Sequence, residues 1–129
     1  MAVSEILPSY VIQEFLNAIR DFKNEYQMAY DAVGIEDKRL QDLLHELEFT
    51  ENSNAKNRVA TKLKNSRKVR RTNKDTVLLL ENLVLFFEEP QNKKVLDQLT
   101  QLLGKQRKVE EKIILSDRKY YPRVKTDKV

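Results

Sequence analysis

The chain has 129 residues and a net charge of +4, with 40% hydrophobic and 34% charged side chains, no cysteine and one histidine. That length suits one domain of roughly 100–200 residues that buries a core unaided, and zero cysteines exclude disulfides and thiolate metal sites. Only two glycines and three prolines punctuate the sequence, which excludes a turn-rich fold and predicts long regular elements.

Leu, Lys, Glu, Gln and Arg are abundant, and β-branched residues seldom alternate with polar ones, so the predicted class is all-α: one compact bundle of four or five helices. The bundle domain is placed at residues 1–115 and an irregular basic tail at 116–129. The first helix is predicted from Pro8 to Val33. Ile12, Phe15, Ile19, Phe22, Tyr26, Ala29 and Val33 follow a repeating spacing of three and four, Pro8 suits a first helical position, and Gly34 suits a left-handed terminator. That row reads as a face toward the bundle core, with the seam of a homodimer as the competing reading.

A second helix is predicted from Glu36 to Phe49, with Leu40, Leu43, Leu44 and Leu47 on one face. Thr50 to Asn54 reads as a loop, with Ser53 or Asn54 capping a third helix that carries the basic segment. Thr76 to Phe87 is apolar nearly all round, which predicts the central helix of the core, whether separate from the third or continuous with it. Pro90 breaks the chain, and antiparallel hairpins are expected at Gly34 and Pro90. The last helix is predicted from Gln91 to Leu115, with an apolar row of Val95, Leu99, Leu102, Gln106, Val109 and Ile113 widened by Leu96, Leu103 and Ile114.

Charge is sorted along the sequence. Residues 1–50 hold four basic and ten acidic side chains, residues 51–75 nine and two, and residues 76–129 eleven and eight. Fields depend on where charge sits, so a small total hides a strongly basic surface. On a helix, Lys56, Lys64, Arg67, Lys68, Arg71 and Lys74 share an arc of about 120°. Arg107 and Lys108 add a second cluster, and Arg118, Lys119, Tyr120, Tyr121 and Arg123 a third, in which cations flank two aromatics. Cations neutralise phosphates and aromatics stack on unpaired bases, so these residues form a candidate nucleic-acid surface for DNA or RNA. The alternatives are a protein-interaction surface docking on an acidic partner, and neutralisation of the basic helix by acids within the fold.

No reaction is legible. His45 falls off the leucine face with no acid, base or ligand beside it, and reads as a surface residue. Leu103-Gly104-Lys105 lacks both the upstream glycine and the following Ser or Thr of a phosphate loop. Glu88-Glu89 and Glu110-Glu111 are adjacent on helices, so their side chains diverge. No enzyme, cofactor or metal is expected. Residues 1–30 carry Glu5, Glu14, Arg20, Asp21, Lys23 and Glu25, with no stretch like a signal peptide or membrane span, so a cytoplasmic protein is expected.

The motifs Arg70-Arg71…Lys74-Asp75, Gly104-Lys105-Gln106-Arg107-Lys108-Val109-Glu110 and Arg118-Lys119-Tyr120-Tyr121-Pro122-Arg123-Val124 give the C-terminal half its character. This half resembles small helical proteins carried by prophages of Gram-positive bacteria. The resemblance brings no activity and no functional residue, and implies an accessory or early viral role.

Overall fold

The computed structural model describes residues 7–114. Among these residues the chain is all-helical: α1 spans Pro8–Glu48, α2 Ser53–Glu88 and α3 Pro90–Ile114. The expected class holds, while the expected four or five helices are three. Leu115, the predicted end of the last helix, and the 116–129 tail lie outside the described residues.

The first two predicted helices are one. Gly34 sits inside α1 without the positive φ that a left-handed terminator requires. The three-four spacing that begins at Ile12 runs on past Val33 through Glu36, Leu40, Leu43 and Leu47, and each of these positions is buried or half-buried. Packing along that row outweighs the roughly 1 kcal/mol that glycine costs a helix interior.

The third and fourth predicted helices likewise fuse into α2. Its inward row is Val59, Leu63, Ser66, Arg70, Asn73, Val77, Leu80, Val84 and Phe87, again in steps of three and four. The N-cap is Asn52 rather than Ser53 or Asn54, and its Oδ1 accepts from the amides of Asn54 at 2.8 Å and Ala55 at 3.2 Å.

Helices α1 and α2 form an antiparallel hairpin closed through residues 49–52. Pairs along its length set the register: Glu46 with Lys62 at 3.7 Å, Glu36 with Ser66 at 3.0 Å, and Lys23 with Glu88 at 2.8 Å. Glu36 is buried yet satisfied, accepting from both Ser66 and Arg39.

Helix α2 ends at Glu88, as Pro90 demands. Glu89 is extended, with ψ at 136°, as the residue before a proline prefers. Asn92 ties the break together by donating from Nδ2 to the Phe86 carbonyl at 2.7 Å. Helix α3 then runs antiparallel to the start of α1, its Arg107 reaching Gln13 and its Glu110 reaching Ser9. Neither expected hairpin forms: α1 is continuous through Gly34, and after Pro90 α3 lies mainly against α1 rather than folding back along α2.

Two expectations about faces are corrected. Thr76 to Phe87 is not a central helix: Val77, Leu80 and Val84 are buried, but Leu78, Leu79, Leu83, Leu85 and Phe86 are exposed. The inward row of α3 is Asn92, Leu96, Leu99, Leu103, Gln106 and Glu110, whereas Val95, Leu102, Val109 and Ile113 face outward. Both rows of α3 have the same period, and periodicity alone does not say which meets a neighbour.

Candidate nucleic-acid interface

The hairpin converts the sorted charge of the sequence into two helices of opposite sign. Helix α1 carries nine acidic and four basic residues, and α2 nine basic and three acidic ones. Lys56, Lys64, Arg67, Lys68, Arg71 and Lys74 are all exposed along one side of α2, with Lys74 at its edge beside Tyr30 and Asp37 of α1. The cause is the seam itself. Val59, Leu63 and Ser66 turn toward α1, and the six cations lie across the helix from them, centred about 120° away.

Internal neutralisation reaches only the flanks of this face. Arg70 Nε donates to Asp37 Oδ1 at 2.6 Å, and Lys62 Nζ lies 3.7 Å from Glu46 Oε1. Among the described residues, none of the six outward cations makes an ion pair. From Lys56 to Lys74 the face extends about 27 Å at 1.5 Å per residue. A free guanidinium or ammonium in such a row exchanges hydration for phosphate contacts and releases counterions on binding.

No protein-family model, curated protein or solved structure matches the chain.

Of the other sequence-predicted residues, Arg107 and Lys108 do not join this row. Arg107 donates from Nη2 to Gln13 at 2.6 Å, near the start of α1. Asp37, which pairs with Arg70, is 24 residues further along the same helix, about 36 Å away. Lys108 is exposed beside Arg107. The two form a separate small cluster at the far end of the molecule. Arg118, Lys119, Tyr120, Tyr121 and Arg123 lie outside the described residues.

One residue was missed by sequence reasoning. Tyr30, exposed on α1, lines a shallow cleft with Asp37, Arg70, Lys74 and Val77. It places an aromatic ring beside the end of the cationic row. No spacing links it to Lys74, forty-four positions away; only the hairpin brings them together.

The titrating groups with a shifted affinity for protons lie elsewhere. Lys23 and Lys93 both bond to the Glu88 carboxylate, at 2.8 and 3.1 Å, and hold it below its ordinary value despite some desolvation. Burial pushes Glu110 up, but bonds from the Ser9 hydroxyl and amide, with help from Gln106 and Arg107, outweigh it and leave the carboxyl below its ordinary range. Glu88 ends α2 beside the start of α3, and Glu110 lies near the end of α3. His45 is exposed, stacked on Phe49 and 3.7 Å from Glu48. Among the described residues no cluster of His, Asp and Glu fits a metal ion, and no helix is long and apolar enough to cross a membrane.

Proposed function

We propose that this protein binds nucleic acid with little sequence preference, through the outward face of α2. The observation that supports it is the set of six exposed cations, Lys56 to Lys74, left without acidic partners among the described residues while Lys62 and Arg70 beside them are paired to α1. Phosphate contacts position and attract but carry no sequence information, so a row of exposed cations suits shape- and charge-based binding. The acidic helix α1 repels phosphate and orients the molecule with α2 toward the polymer. The basic tail with Tyr120 and Tyr121 extends the same chemistry to single strands.

Anisotropy titrations with labelled single- and double-stranded oligonucleotides test this at two salt concentrations. On duplex, each phosphate neutralised contributes about −0.9 to the slope of log affinity against log salt. Replacing Arg67, Lys68 and Arg71 with Ala is expected to reduce that slope by about three, with helix content unchanged because all three side chains point away from the seam. Absence of binding at low salt overturns the proposal. A protein-interaction role, adaptor or inhibitor, is favoured by a different observation, the exposed apolar side chains on the outer faces of α2 and α3. Recovery of one stoichiometric protein from nuclease-treated lysate is the result that would put it first.

A further inference from the structure

We infer that the C-terminal third of α2 is a self-association surface, docking antiparallel on the same face of a second copy of this chain. The cationic face of α2 does not stop at Lys74. Along the same side of the same helix it turns apolar: Leu78, Leu79, Leu85 and Phe86 are between 52 and 79% exposed, and Asn82 lies among them. Their neighbours Val77, Leu80 and Val84 are buried against α1, so these outward side chains belong to no core of the described chain. Helix α3 does not cover them, because it turns away at Pro90 to run along α1.

What fits this face follows from its order. Lys74, Leu78, Asn82, Leu85 and Glu89 form one row about 22 Å long. Read backwards the row is Glu, Leu, Asn, Leu, Lys. An antiparallel second copy therefore sets leucine on leucine and asparagine beside asparagine, whose amides donate and accept reciprocally. It also places Lys74 of each copy by Glu89 of the other, which gives two ion pairs for one two-fold axis. Parallel pairing would oppose lysine to lysine and glutamate to glutamate. Neither Lys74 nor Glu89 has an ion-pair partner among the described residues; the Glu89 carboxylate accepts only from the neutral carboxamides of Gln91 at 3.3 Å and Asn92 at 3.2 Å, which leaves its charge uncompensated. Leu79, Leu83 and Phe86 flank the row and widen the apolar contact. The outward row of α3 has no such reversed symmetry of charge.

The inference does not rest on nucleic-acid binding and is read without it. Sedimentation of the nuclease-treated full chain across the micromolar range is expected to show twice the 15.3 kDa chain mass. Leu78→Glu with Leu85→Glu is expected to give a folded monomer by circular dichroism. Lys74→Glu alone and Glu89→Lys alone are each expected to weaken association three- to tenfold, on the order of 1 kcal/mol, at low salt, and the two together to restore it. A chain that stays at 15.3 kDa throughout, or a dimer that survives the paired leucine substitutions, overturns the surface. Failure of the combined charge reversal to restore association overturns the antiparallel arrangement, and stands as a test if the leucine variants do not fold.

Discussion

At the scale of single residues, the departures from ideal helix chemistry are informative. Gly34 and Gly104 both sit inside helices at ordinary φ, and a Cβ added at either would meet nothing within 4 Å. Neither serves a turn or a close approach. Gly34→Ala and Gly104→Ala are each expected to stabilise the fold by about 0.5–1 kcal/mol, seen as a higher urea midpoint with unchanged slope. Asn52 is the opposite case, since its carboxamide satisfies two free amides at the start of α2. Asn52→Ala is expected to cost about 1 kcal/mol in the same assay. Buried Glu36 depends on Ser66 and Arg39 for its bonds, so Ser66→Ala should destabilise by roughly 1–3 kcal/mol. Replacing Glu36 with Leu at the same time removes the carboxylate that has lost one of its two partners, and is expected to recover much of the loss.

At the scale of elements, α3 is held differently from α2. The hairpin rests on a long seam, whereas α3 is fastened near its ends through two carboxylates, Glu88 of α2 with Lys93, and Glu110 with Ser9. Both carboxyls bind protons less readily in the fold than their ordinary value of 4.5. A depressed acid stabilises the folded state above its unfolded pKa, and that contribution is lost as pH falls through the lower folded value. Acidification below about pH 4.5 is therefore expected to loosen α3 before the hairpin. Hydrogen exchange of the amides in residues 96–110 would rise first. Glu110→Gln should flatten the part of that pH response that belongs to the Ser9 end.

The whole molecule is a charge-separated hairpin with a third helix laid along the opposite end of its longer arm. Helices of 41, 36 and 25 residues leave little of the 129-residue chain outside them. Far-UV circular dichroism is expected to report at least about three-quarters helix, far above the common one-third. A long hairpin exposes more surface than a compact bundle, which explains why so many large apolar side chains remain in water. It also keeps the cationic row of α2 about 27 Å long and open along its length.

The sequence by itself determined the helical class, the breaks at Pro8 and Pro90, the turn near residue 50 and the arc shared by six cations. These follow from local rules: the fixed φ of proline, the scarcity of other turn residues, and the 100° step of a helix. The sequence also contained the unbroken three-four spacing from Ile12 to Leu47, but Gly34 concealed it, because glycine ends a helix or lies within one depending on packing elsewhere. Only the tertiary structure decided which face of each apolar helix meets a neighbour. Thr76 to Phe87 and the two rows of α3 are apolar on more sides than one, so hydrophobicity named no inner side. The register between α1 and α2 then chose Val77, Leu80 and Val84 for burial and left Leu78, Leu79 and Phe86 outside. The same register placed Asp37 and Glu46 beside Arg70 and Lys62 and left the six outward cations without an ion pair among the described residues.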